Sequence, residues 1–192
     1  MNTRFLPLLA TLAIFVLAYA ACIAQFPNMA STRVVGNLLT DNAFLGIAAI
    51  GMTFVILSGG IDLSVGSVIA FTGVLLAVLI GQAGIHPLLA FAIALGVATA
   101  FGAAMGLMIH YLEMPPFIVT LAGMFLARGA AFVMTTDSLP IGHGFYAALQ
   151  GIYWRMPGGG RLTVIAGALL LVTLAGLVIA PRTPFGANVL AL

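Results

Sequence analysis

Six apolar runs of helix length, separated by glycine, proline and short polar stretches, limit what this chain can fold into more than any other feature. They fall near residues 5–26, 42–58, 63–81, 88–111, 116–135 and 162–180. A hydrocarbon core about 30 Å thick takes about 20 helical residues to cross, whereas outer-membrane barrels are built from alternating segments of about 10. These runs are continuous, so the expected fold class is an all-α polytopic membrane protein with about six transmembrane helices in a single transmembrane domain over 1–192. Charged residues make up only 5% of the chain, far below the roughly 25% of a soluble domain.

The first run follows Arg4 and contains Ala18-Tyr19-Ala20, which imitates a secretory signal and its cleavage site. From Phe5 to Phe26 it is longer than the about 7–15 residues of a signal core. An uncleaved first membrane helix is therefore expected. Cys22, the single cysteine, sits inside this run and cannot form an internal disulfide.

Charge excludes several functions. The net charge is +2, from six arginines against four acids, without the clustered basic face that nucleic acid requires. Alternation from a cytoplasmic N-terminus puts Arg4 and Arg182 inside but Arg33, Arg155 and Arg161 outside, so arginine counting does not fix the orientation. His86, His110 and His143 lie near loops or helix ends with no second ligand at metal spacing, and no metal is expected. No G-x-x-x-x-G-K-[ST] loop is present, so no cofactor is expected on this chain and any ATP would be bound by another. A two-aspartate intramembrane protease would need a second aspartate within a span, but Asp41 and Asp137 fall at run ends.

The stretch "ILSGGIDLSVGS", Ile56 to Ser67, places a carboxylate between two apolar runs. If the second run is Ala43 to Leu57, its fifteen residues reach about 22 Å, short of the hydrocarbon thickness. Gly59 or Gly60 can take the left-handed conformation that closes a helix, and Asp62 can cap the next one by accepting from the N–H of Ser64 or Val65. A glycine-broken helix pair around residues 58–64 follows. Local capping accounts for the motif by itself. The same geometry also suits a transport path, where an intramembrane break lines a polar cavity and an acid receives sugar hydroxyls or a coupling cation.

Arg128 is the one ionisable residue well inside an expected span. Starting from Pro116, which suits a first helical turn, it lies about 18 Å along the axis. It either snorkels to the interface or joins Phe117, Thr120 and Met124 in a partly polar stripe. On the fourth span Ala90, Ala94, Ala98, Gly102 and Gly106 recur every fourth residue, a face on which a neighbouring backbone can pack closely. The stretch 136–161 is too polar to span. Its Phe145, Tyr146, Tyr153 and Trp154 favour the membrane–water boundary, so an outer interfacial segment with a short helix near Tyr146–Tyr153 and a "MPGGGR" turn is expected, with a docking surface for an external partner as the other reading.

At "GMTFVILSGGIDLSVGSVIAFTGVLLA" the chain resembles the permease subunits of bacterial sugar ABC importers of the ribose-type branch, in which G-G-I-D-L-S-V-G-S is a signature. The stretches "STRVVGNLLTDNAFLGIAAIGMTFVI", "PPFIVTLAGMFLARG", "MPGGGRL" and "RTPFGANVLAL" carry the same resemblance, and together they are most similar to the galactofuranose-importing members. This implies a substrate path for a monosaccharide, for which Asp62 and Ser64 at the break and Phe117, Thr120 and Arg128 on the fifth span are the candidate lining residues. It also implies a location in the bacterial inner membrane and four partners: a second permease chain, a cytoplasmic ABC ATPase pair, a periplasmic sugar-binding protein and the lipid bilayer. Such permeases continue past "GANVLAL" into an ATPase-contacting segment and further helices, so an N-terminal part of one is expected here. A proton-coupled secondary transporter using Asp62 and Arg128, and a noncatalytic membrane scaffold, are the alternatives.

Overall fold

The computed structural model describes residues 6–190. Arg4, Phe5, Ala191 and Leu192 lie outside the described residues. The chain forms α1 (Leu6–Gln25), a 3-10 turn (Pro27–Ala30), α2 (Thr32–Asp41), α3 (Ala43–Leu57), α4 (Val65–Ala77), α5 (Pro87–Tyr111), α6 (Pro116–Met134), α7 (Gly144–Gly151), strands β1 (Tyr153–Arg155) and β2 (Arg161–Thr163), α8 (Val164–Arg182) and α9 (Pro184–Leu190). A π-helical turn, Val78–Gln82, extends α4 into an 18-residue apolar rod. Among the described residues, five helical segments are long and apolar enough to cross a membrane, and a sixth is reached if α2 and α3, bent by 59° at Asn42, count as one span. The protein is an all-α polytopic membrane protein.

Two further elements lie between the expected spans. "GNLLTDN" belongs to α2, an amphipathic helix with Val34, Val35, Leu38 and Leu39 against Arg33, Asn37 and Thr40. The residues flanking "MPGGGR" form a two-stranded antiparallel hairpin, with Tyr153 opposite Thr163 and Arg155 opposite Arg161. Between α6 and that hairpin, the short helix α7 covers Gly144–Gly151.

Burial follows the logic of a lipid-soluble bundle. The most buried apolar side chains are small, among them Ala43, Ala90, Ala94, Ala127 and Ala166, while Leu17, Leu95, Leu126 and Leu171 are exposed. Large side chains lose nothing by facing lipid, and small ones let helix backbones approach. Gly46 receives the Leu169 side chain, and Gly176 receives Ile50. Those two contacts set α3 and α8 side by side and parallel. In the same way Gly123 on α6 accepts Met105 and Phe101 from α5.

The small-residue face of α5 is only partly used within this chain. Ala90 and Ala94 are buried, whereas a Cβ at Gly102 or Gly106 would meet nothing within 4 Å, and Ala98 lies between these extremes. The close approach between α5 and α6 comes from the glycine on α6 instead.

Candidate functional site at the helix break

The glycine pair ends α3 with a Schellman motif. Gly60 N–H donates to the Val55 carbonyl at 2.9 Å and Gly59 N–H to Ile56 at 3.0 Å, with Gly59 at φ +71°. These bonds satisfy carbonyls that would otherwise be left over at the helix end. Ser58 Oγ adds a second donor to the Val55 carbonyl at 2.8 Å.

Asp62 leads into the next helix as an Asx turn two residues before its cap, Ser64, whose own side chain caps no helical N–H, so the expected capping of α4 by Asp62 reduces to this turn. Its Oδ1 accepts from the Ser64 backbone N–H at 2.8 Å and from the Ser64 hydroxyl at 2.7 Å. Ser64 is the residue just before α4, and its carbonyl accepts the first helical bond, from Val68 N–H, at 2.9 Å. Ser64 is 1% exposed, so its hydroxyl must find a partner inside the protein. Asp62 is half-buried, and its second oxygen, Oδ2, has no hydrogen-bond partner among the described residues.

The first turn of α6 packs against the break. Thr120, buried, donates to the Pro116 carbonyl at 2.8 Å, and the Ile61 and Phe117 carbonyls lie 3.4 Å from the same hydroxyl. Asp62, Ser64 and Thr120 thus gather at one end of α4 and α6.

The other two candidate residues stand apart. Phe117 lies one turn before Thr120 with its ring 51% exposed. Arg128 is exposed two turns further along α6, about 12 Å from Thr120 along the axis. The face that α6 buries is Val119, Thr120, Gly123 and Ala127, displaced around the helix from the stripe Phe117, Thr120, Met124, Arg128. Only Thr120 belongs to both.

The histidines have structural tasks. His86 Nδ1 accepts from Leu88 N–H at the start of α5, and His143 Nδ1 accepts from Phe145 N–H at the start of α7. Their rings meet edge to face at 5.7 Å and, with Phe91, Phe145 and Tyr146, pin α7 to α5. The described residues contain no group of three or more potential metal ligands.

A multi-pass helical membrane protein with a capped, glycine-broken helix pair is the class that these features define. Within that class, a family profile described as "Branched-chain amino acid transport system / permease component" matches residues 34–192, and the chain belongs to this family. It is 56% identical over 192 residues to the inner membrane ABC transporter permease protein YjfF of Escherichia coli (strain K12), covering 100% of this chain and 58% of that protein. It is 39% identical over 144 residues to the fructose import permease protein FruG of Bifidobacterium longum (strain NCC 2705), covering 75% and 42% respectively. With the ribose import permease protein RbsC of Bacillus subtilis (strain 168) the identity is 36% over 186 residues, covering 94% and 55%. The chain spans about half the length of these relatives. No solved structure matches it.

Proposed function

We propose that the chain is a permease subunit of an ATP-binding-cassette importer in the bacterial inner membrane, carrying a monosaccharide, with galactofuranose or a similar sugar as its cargo. The likeness over the whole chain to an ABC transporter permease, joined by ribose and fructose import permeases, is the observation that carries this reading. The galactofuranose assignment rests on the combination of sequence stretches alone. Energy comes from a separate cytoplasmic ATPase pair, and sugar is delivered by a periplasmic binding protein to a pair of permease chains.

In this reading Asp62 first forms the turn that leads into α4, and its free Oδ2 is an acceptor for a sugar hydroxyl passing the break. Ser64 holds the carboxylate in place. Thr120 packs its hydroxyl beside the Ile61 carbonyl, and the exposed Phe117 residue offers an apolar face to a sugar. Arg128 supplies a cation further along the same helix.

The test is sugar uptake by cells that express the chain together with a cognate ATPase and binding protein. Uptake should persist when the proton gradient is collapsed with ATP maintained, and the purified chain alone should hydrolyse no ATP. Uptake that stops with the gradient while ATP is intact would transfer the protein to the proton-coupled class.

A further inference from the structure

Three of the six arginines meet outside the long spans. Arg33 lies in the first turn of α2, and Arg155 and Arg161 stand directly opposite one another on the hairpin. Arg33, Asn37, Gly159 and Arg161 line a polar pocket of about 340 Å³. A second pocket of about 320 Å³ shares Gly159 and Arg161 and adds Arg155. Like charges at directly opposed positions of an antiparallel pair repel. No carboxylate among the described residues forms an ion pair with any of the three.

The pocket is held in shape by several bonds. Thr32 Oγ1 donates to the Pro157 carbonyl at 2.7 Å and accepts Gly160 N–H at 3.3 Å, strapping the hairpin loop to the start of α2. Met156 N–H closes the loop on the Gly160 carbonyl at 2.9 Å. A Cβ at Gly36 would collide with the Arg161 carbonyl, and one at Gly160 with the Thr32 carbonyl. The Arg161 guanidinium sits 4.7 Å over the Tyr153 ring.

Depth identifies the ligand. β2 runs into α8 without a loop, so Arg161 lies within about 10 Å of the first residue of a membrane span. Headgroup layers occupy several ångströms on each side of the hydrocarbon. On another face of α2, Val35, Leu38 and Leu39 line an apolar groove of about 640 Å³ with Phe15, Leu45 and Leu169. The amphipathic α2 therefore marks the boundary between hydrocarbon and headgroup, with Arg33 and Asn37 on its polar side. Trp154, 77% exposed on the opposite face of the hairpin, is the residue type that favours the same level.

We propose that this pocket binds the phosphate of an anionic phospholipid headgroup, with Arg33 and Arg161 as its main ligands and Arg155 at its rim. Guanidinium groups offer paired N–H donors that match phosphate oxygens, and bound anion relieves the repulsion between the two strand arginines. The site anchors the start of α2 to the bilayer surface. It stands independently of the transport reading.

The test uses the full chain purified in a neutral detergent. It is titrated with short-chain phosphatidylglycerol, with phosphatidylcholine of the same chain length and with inorganic phosphate; binding is read from thermal protection and from lipid retained in mass spectrometry. Phosphatidylglycerol should bind about tenfold or more tightly than phosphatidylcholine, with no competition from millimolar phosphate. The Arg33→Gln, Arg161→Gln double variant should weaken phosphatidylglycerol by roughly thirtyfold, at about one membrane-surface interaction per arginine, and the double lysine variant should recover most of the loss. Equal binding of the two lipids, or full competition by inorganic phosphate, would overturn the proposal even if the glutamine variant failed to fold. A folded glutamine variant with unchanged lipid affinity would also overturn it. So would an acidic peptide that binds the wild type in place of lipid, since that result would assign the pocket to a protein partner.

Discussion

Replacing Gly59 with alanine isolates the backbone conformation at the helix break. Gly59 sits at φ +71°, and a Cβ built there meets nothing within 4 Å, so the substitution adds no collision. What it adds is the strain of an L-residue in the left-handed region, about 1–2 kcal/mol. Gly73, in the middle of α4, is the matched control. Its Cβ also meets nothing within 4 Å, and it lies in regular helix, where alanine is favoured over glycine by about 0.8–1.0 kcal/mol. The two glycine-to-alanine changes should therefore act in opposite directions and differ by about 2 kcal/mol, or roughly thirtyfold in the unfolding equilibrium. Gly59→Asn should recover part of the loss, since asparagine tolerates this region. The assay is reversible unfolding in mixed micelles, followed by helical circular dichroism. If Gly59→Ala matches or exceeds wild-type stability, or if Gly73→Ala destabilises as much, the capping account of the break is wrong.

In the proposed importer, Asp62→Asn should preserve folding and most sugar uptake, because asparagine keeps the oxygen that receives the Ser64 bonds, while Asp62→Ala should cost about 1 kcal/mol of stability and Asp62→Leu more. Abolition of uptake by asparagine with rescue by glutamate would instead require a titratable charge. Cysteines placed at Ser138 and Gly159 in a Cys22→Ala background should react with an impermeant reagent applied from outside the cell; labelling only from inside would invert the proposed topology. The Arg155 hydrogen bond, aided by the charges of Arg161 and Arg155, lowers the Tyr153 pKa from its ordinary value, whereas burial raises that of Tyr146. On raising the pH, Tyr153 should ionise before Tyr146, high salt should narrow the interval by screening, and Tyr153→Phe should remove the earlier step in the near-ultraviolet absorbance.

The long spans were legible because hydrocarbon imposes continuous apolar runs and proline marks their first turns, as at Pro87 and Pro116. The break was legible for a related reason: glycine and aspartate have few alternative uses between two such runs. α2 was harder to read because its polar residues resemble a loop, although Val34, Val35, Leu38 and Leu39 carry a helical spacing. The hairpin was missed because three-residue strands carry little periodic signal, and what pairs them is the long-range strap through Thr32. Helical spacing groups Phe117, Thr120, Met124 and Arg128 as one stripe, but spacing does not say which stripe meets a neighbour. The fold makes that choice by packing α6 chiefly against α4, with Thr120 at Ile61, while Gly123 admits Met105 from α5. The local turn at Asp62 could be read from adjacent residues, whereas the meeting of Thr120 with Ile61 depends on a contact fifty-nine residues apart.

Thr163 is both the last residue of β2 and the cap of α8, its Oγ1 accepting Ala166 N–H at 3.3 Å. The same oxygen lies 2.9 Å from the Thr40 hydroxyl of α2, whose own proton is directed to the Gly36 carbonyl. One hydroxyl group therefore joins a strand, an amphipathic helix and a membrane helix with no slack segment among them. A displacement of the hairpin is not absorbed by a loop but passes into the tilt of α8. Over nineteen residues, about 28 Å of rod, a rotation of about 5° moves the far end by about 2 Å. The hairpin is the short arm of a lever whose long arm spans the bilayer.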